Sequence, residues 1–164
     1  MRFLPLALDV RGRNCLVVGG GAVGTRKART LVRAGAHVTV VSPEVTDELA
    51  KEIEAGRVTW LQECFRAEHV CNACCLVVMA TDNHVLNAAG ALLATQERAL
   101  ACDASSVDNS QFIFGALLES DGVTVATFTD GRDPARARRV RDHVAHALSE
   151  PADAWPPPDV LTAR

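Results

Sequence analysis

The feature that most constrains this chain is the run Gly19-Gly20-Gly21-Ala22-Val23-Gly24, which has the spacing G-x-G-x-x-G. A bare match to that spacing is weak, so its setting decides what it means. The apolar run Cys15-Leu16-Val17-Val18 leads directly into the glycines, as a buried parallel strand would. Residues 22–34 follow with Val23, Ala28, Leu31 and Val32 at helical spacing, and Gly35 stands where a helix C-cap would. A strand, a glycine turn and a helix in that order form the opening of a dinucleotide-binding βα unit. There Gly19 allows the tight turn, and Gly21 leaves room for a pyrophosphate to approach the backbone. Gly24 lets the helix lie against the strand. The N–H groups of Ala22 and Val23 then meet the phosphates at the positive end of the helix.

The same grammar continues as far as residue 111. Val38-Thr39-Val40-Val41 is a second strand, stopped by Ser42-Pro43. Thr46 can cap a helix with Asp47 and Glu48 in its first turn, where negative charge suits the dipole. Further strands are expected at 58–61, 76–80 and 99–102, with a helix over 83–95. Alternating strands and helices imply a Rossmann-like α/β domain with a parallel sheet covered on both faces, spanning 1–111. From residue 112 the pattern changes. Apolar runs at 112–118 and 123–128, joined by Glu119-Ser120-Asp121-Gly122, read as a β-hairpin. Pro134 opens a helix with Ala137, Val140, Val144, Ala147 and Leu148 on one face. A hairpin and one helix bury little surface alone, so 112–150 is expected to pack on a partner. The stretch 151–164 carries four prolines and no periodicity, and is expected to be a loose tail.

In a domain of this kind the ligand crevice lies at the carboxyl ends of the strands. An acid usually ends the second strand and holds the ribose hydroxyls. Here Ser42 stands at that end, Pro43 follows, and Glu44 comes two residues late. No arginine follows, which favours NAD over NADP. Thr81 and Asp82 close the fourth strand and are expected to face the cofactor.

Composition narrows the classes of function. A formal net charge of −3 offers no bulk attraction to nucleic acid or an anionic membrane surface. No apolar run approaches the ~18 residues that cross a bilayer. The first residues, broken by Pro5 and followed by Asp9, Arg11 and Arg13, do not read as a secretory signal, so a cytoplasmic enzyme is expected. Of the six cysteines, Cys71-Asn72-Ala73-Cys74 forms a C-x-x-C, but no second pair or His pair completes a metal set. No metal site is expected, and the cysteines are read as reduced, buried or half-buried thiols. His143 and His146 lack an acidic or thiol partner and read as surface residues.

Taken together, these motifs resemble the precorrin-2 dehydrogenase and sirohydrochlorin ferrochelatase domain of sirohaem synthases. The resemblance runs from residue 3 to about 149. It rests on Leu4-Pro5 with Leu8, the strand and glycine turn, Arg26-Lys27-Ala28-Arg29, and Ala34-Gly35-Ala36. Ala80-Thr81-Asp82 with Asn87, Phe112-Ile113-Phe114 and the arginine-rich stretch from Pro134 to Arg141 complete it. It implies NAD-dependent oxidation of precorrin-2 to sirohydrochlorin, with iron insertion as a second activity in some members. It also implies a homodimer built through the hairpin and helix. The substrate is a polycarboxylate tetrapyrrole, for which Thr129, Arg132 and Arg136 are the candidate binding residues.

Two departures bear on chemistry. The family has an Asn-Val-Val-Asp segment after its fifth strand, and its aspartate is the candidate for acid–base work and metal delivery. Counting back from Phe112 places Ser105 there, with Asp103 two residues earlier. A serine is neither a carboxylate base nor a strong hard-cation ligand. Asp103 and Ser105 are therefore the candidate catalytic residues, and chelation is expected to suffer more than hydride transfer. In the turn before Pro134, Asp130 replaces a family glycine. The missing aspartate, with a proline-rich stretch where the family continues into a helical segment, keeps a non-catalytic dinucleotide-binding regulatory module as an alternative beside the bifunctional dehydrogenase and ferrochelatase.

Overall fold

The computed structural model describes residues 1–71 and 73–149, so the expected tail at 151–164 lies outside the described residues. The chain divides into two compact units, Phe3–Ile113 and a second built from Phe114 onward with Met1–Arg2.

In the first unit five strands alternate with three helices: β1 (Asn14–Val18), α1 (Ala22–Arg33), β2 (His37–Val41), α2 (Asp47–Glu54), β3 (Val58–Leu61), β4 (Cys74–Met79), α3 (His84–Gln96) and β5 (Leu100–Asp103). A single 3₁₀ turn, Ala67–His69, precedes β4 and was not expected from the sequence. The strands are all parallel, in the order β3-β2-β1-β4-β5. The chain winds outward from β1 to β3 and then crosses back to β4. The switch point therefore lies between β1 and β4, where doubly wound sheets open a ligand crevice.

The apolar runs are continuous because both sheet faces are covered. On one face Leu16, Val18, Val41, Val77, Met79 and Ala101 pack with Ala91 and Ala94 of α3. Alternate residues such as Val17, Val40 and Val78, fully buried, turn to the face carrying α1 and α2. Those helices bury Ala28, Leu31 and Leu49. Thr46 caps α2 by accepting from the Leu49 N–H at 3.2 Å, and Asn83 caps α3 by accepting from the Leu86 N–H at 3.0 Å. Among the described residues no helix is long and apolar enough to cross a membrane.

The second unit holds the antiparallel pair β6 (Ala116–Ser120) and β7 (Val123–Thr127), followed by α4 (Pro134–Leu148). The hairpin is tighter than the sequence reading: Glu119 and Ser120 pair with Thr124 and Val123, leaving only Asp121-Gly122 in the turn. Both turn residues have positive φ, 48° and 79°, as a two-residue turn matched to strand twist requires. Phe112–Phe114 is not part of a strand; β6 begins only after Gly115, where a Cβ would stand 2.9 Å from the Phe128 ring. Helix α4 packs on both strands, buries Ala137, and receives a hydrogen bond on the Ala137 carbonyl from the Thr127 hydroxyl at 2.7 Å.

Candidate functional site

The glycine turn connects β1 to α1 and is held by backbone on both sides. The Gly19 N–H donates to the Val41 carbonyl at 2.9 Å, and the Ala80 N–H donates to the Val18 carbonyl at 2.7 Å. Gly19 has φ +109°, and a Cβ on it would stand 2.3 Å from the Ala80 carbonyl oxygen. A Cβ on Gly24 would stand 1.9 Å from the Gly19 carbonyl oxygen. Both positions therefore exclude every side chain, for the reasons of turn and close packing read from the sequence. Gly21 differs: nothing lies within 4 Å of where its Cβ would be. It is the N-cap of α1, with extended backbone and no side chain capping the helix. The first turn of α1 holds no acidic residue. The N–H groups of Ala22 and Val23 thus open onto space that only a missing Cβ keeps clear, a cradle that fits a pyrophosphate.

That space belongs to a cleft of about 540 Å³ lined by Gly19, Gly20, Gly21, Ser42 to Thr46 and Ala80 to Asp82. Seven of the residues singled out in the sequence come together here: Gly19, Gly21, Ser42, Pro43, Glu44, Thr81 and Asp82. Ala22, Val23 and Gly24 continue from its floor into α1. Ser42 is buried, its carbonyl accepting from the Trp60 indole at 2.9 Å, while Pro43 and Glu44 are exposed.

Three features of the cleft were not read from the sequence. A Cβ on Gly20 would stand 2.2 Å from the Glu44 carbonyl oxygen, so the middle glycine of the triplet admits the loop after β2. That loop is braced to the turn by the Thr46 N–H donating to the Gly20 carbonyl at 3.1 Å and by the Thr25 and Thr46 hydroxyls at 2.8 Å. The only signal was an uninterrupted glycine triplet. The third feature is the bonding of Asn87, a residue that entered above only through the resemblance and is buried at 1% exposure. Its Oδ1 accepts from the Thr81 N–H at 3.1 Å and the Thr81 hydroxyl at 2.6 Å. Its Nδ2 donates to the Thr81 carbonyl at 2.9 Å and to the Ser105 hydroxyl at 3.2 Å.

Ser105 in turn donates to Asp103. Its hydroxyl lies 2.5 Å from Asp103 Oδ1, and its N–H lies 2.8 Å from the same oxygen. The Asn109 amide donates to Asp103 Oδ2 at 2.9 Å. Asp103 is buried and Ser105 exposed, so the serine presents the pair to the surface. Burial pushes the Asp103 carboxyl up, but the hydrogen bonds from Asn109 and from Ser105 and Ser106 outweigh it and hold it below its usual value. Asp103 is therefore an ionised carboxylate with both oxygens engaged. Neither Asp103 nor Ser105 lines the cleft; Asn87 links them to Thr81, which does.

The candidate substrate residues lie in the second unit. The Thr129 hydroxyl donates to the Asp133 carbonyl at 2.8 Å and accepts from the Asp133 N–H at 3.2 Å. Asp133 caps α4 by accepting from the Arg136 N–H at 2.8 Å, and the Arg132 N–H donates to the Thr129 carbonyl at 2.9 Å. Thr129, Arg132 and Arg136 thus share one turn. Asp130 within it has φ +50°, the left-handed region that a glycine would enter freely and that aspartate tolerates better than most residues.

Comparison with known proteins agrees with this geometry. Residues 6–116 match the family NAD_binding_7, described as "Putative NAD(P)-binding". The siroheme synthase of Nitrosospira multiformis is 34% identical over 93% of this chain, and that of Nitrosococcus oceani is 37% identical over 86%. The chain spans only 38% and 30% of the lengths of these two curated relatives. Among solved structures, SirC, a precorrin-2 dehydrogenase, superposes with a TM-score of 0.72 at 24% identity, covering 88% of this chain and 71% of that one. That likeness establishes the shared fold. With the glycine cradle at the sheet's switch point and the family match across the whole first unit's core, the chain belongs to the NAD(P)-binding family NAD_binding_7.

Proposed function

We propose that this chain is an NAD-dependent dehydrogenase that oxidises precorrin-2 to sirohydrochlorin in sirohaem biosynthesis, working as a cytoplasmic homodimer. The observation that carries the reading is the open cradle at Gly21, set in a chain whose relatives are siroheme synthases. When bound, NAD would supply the hydride acceptor. The chain's own residues do the positioning. Ala22 and Val23 present N–H groups to the pyrophosphate, and Ser42, Pro43 and Glu44 form the wall at the ribose. The Glu44 carboxylate and the lack of arginine in that loop disfavour a 2′-phosphate, which supports NAD over NADP.

Thr81 and Asp82 form the opposite wall. Asp103 acts through Ser105, aligning its hydroxyl while Asn87 ties it to Thr81. The arginines at 132 and 136 offer cations to the substrate's carboxylates, with Thr129 shaping their turn. Val123 and Val140, exposed at 51% and 45%, support a partner surface on the hairpin and helix. The net charge of −3 supports no nucleic-acid or membrane partner. Iron insertion is expected to be the weaker activity, because a serine stands where the family places its aspartate.

The test is to incubate the protein with precorrin-2 and NAD, following the macrocycle's absorbance with and without ferrous ion, beside a direct NAD titration. Sirohydrochlorin formation dependent on NAD supports the reading. Tight NAD binding with no oxidation would replace it with the regulatory module, and metal-dependent sirohaem would restore the second activity.

A further inference from the structure

Cys71 and Cys74 lie outside the cleft, and nothing in the proposed reaction uses them. They bracket the turn that leads into β4. The Cys74 N–H donates to the Cys71 carbonyl at 2.9 Å, an i to i+3 bond that brings two Cα atoms within roughly 7 Å. The two sulfurs are 3.7 Å apart. Both are free thiols; Cys74 is half-buried and Cys15 and Cys102 are buried, but Cys71, like Cys64, is exposed, against the expectation of buried or half-buried cysteines. A disulfide spans Cα atoms about 4.4–6.8 Å apart with sulfurs about 2.05 Å apart, so closure needs side-chain rotation and a small tightening of the turn.

The local sheet can absorb that tightening. Asn14 of β1 pairs with Cys74 but Cys15 pairs with Leu76, so Cys75 is an extra residue that already interrupts the ladder. The paired body of β4 begins beyond it. Among the described residues this pair is not part of a group of three or more ligating side chains placed to hold an ion. An exposed thiol 3.7 Å from a half-buried one is arranged for thiol–disulfide exchange.

We propose that Cys71 and Cys74 form a redox-active dithiol that exchanges with small disulfides of the glutathione type. The exposed Cys71 thiolate attacks one sulfur of glutathione disulfide, forming a mixed disulfide and expelling one glutathione thiolate. Cys74 then attacks the Cys71 sulfur, closes the intramolecular disulfide and releases the second glutathione. The protein loses two electrons and two protons, and the glutathione disulfide gains both. Burial pushes the Cys74 thiol up, which leaves Cys71 as the first attacker.

The test uses the full chain equilibrated in mixtures of reduced and oxidised glutathione, quenched with an alkylating agent and read peptide by peptide by mass. As the mixture becomes oxidising, the peptide holding Cys71, Cys74 and Cys75 is expected to lose two of its three alkyl groups together, Cys75 keeping its own, and to become about 2 Da lighter than the reduced peptide alkylated at Cys75 alone. Dithiothreitol should reverse the change. In Cys74→Ser the closing step is removed, so Cys71 should instead carry one glutathione; in Cys71→Ser the oxidation should be lost. The proposal is overturned if Cys71 and Cys74 stay alkylated in mixtures that already modify the exposed Cys64. It is equally overturned if Cys74→Ser leaves Cys71 unmodified, or if the oxidised protein pairs either cysteine elsewhere.

Discussion

The side-chain oxygen of Asn87 accepts two hydrogen bonds from Thr81, one from its backbone N–H at 3.1 Å and one from its hydroxyl at 2.6 Å. With both donors aimed at Oδ1, the amide can take only one orientation, and its NH₂ must face the Thr81 carbonyl and Ser105. One buried amide therefore sets a wall of the dinucleotide cleft and the loop after β5 in a single frame. Asn87→Leu keeps the volume but strands these groups. It is expected to lower unfolding free energy by about 3 kcal/mol and to weaken NAD binding, since each unsatisfied buried group costs about 1–3 kcal/mol. Chemical denaturation and an NAD titration on the same variant check both. Unaltered affinity would confine Asn87 to stability.

The glycines of the turn should separate folding from binding. Gly21→Asp places its side chain in open space at an N-cap, where aspartate favours a helix. The melting temperature is therefore expected to hold or rise, while NAD binding is abolished by the filled cradle and the added negative charge. Gly24→Ala puts a methyl against the Gly19 carbonyl and should cost about 3 kcal/mol or more. A calorimetric melt and a binding titration on each variant distinguish the two.

Asp103 is predicted to matter for turnover and for acid stability. Asp103→Ala frees the Ser105 hydroxyl and should lower the oxidation rate by about 10- to 100-fold through lost alignment, with an unchanged rate removing it from the site. Its folded carboxyl sits below the ordinary value, so its stabilising contribution is complete above that value. The contribution fades as pH drops through the lower, folded value. The stability difference between wild type and Asp103→Asn should therefore be full at neutral pH and shrink below about pH 4. Denaturant midpoints measured from pH 7 to pH 3 test the sign.

Lys27 carries the opposite sign. Burial lowers its pKa from the ordinary 10.5 to about 8, with Cys102 opposing and Arg26 adding to the shift. Below pH 8 the fold bears a charged, poorly solvated ammonium. Between about 8 and 10.5 the unfolded chain binds more protons, so this group makes stability rise with pH. Lys27→Met should be more stable than wild type at neutral pH and should lose that rise. Cys15 and Cys102, whose burial raises their thiols, pull stability the other way in both proteins, so a wild-type profile that parallels that of Lys27→Met over this range would contradict the burial.

Much of this architecture was legible in the chain itself. Strand, glycine turn and helix follow from local rules: an apolar run to bury, a backbone that needs no Cβ, and a 3.6-residue repeat to cover the sheet. Pro134 and the Asp121-Gly122 pair marked their helix and turn for equally local reasons. The roles at residues 19, 21 and 24 could be assigned because a missing side chain says where space or close approach is needed. What the chain could not declare was anything set by strand order. Only the sheet order β3-β2-β1-β4-β5 puts the Ala80 carbonyl against Gly19 and the Glu44 carbonyl against Gly20. The burial of Asn87 between Thr81 and Ser105 is of the same kind, because a polar residue on a helix reads as solvated until the neighbouring strand ends are in place. Asp103 stood two residues from the expected position in the sequence. The tertiary structure decided its state, because the donors converging from Asn109, Ser105 and Ser106 outweigh its burial and make it an ionised anchor for the exposed Ser105.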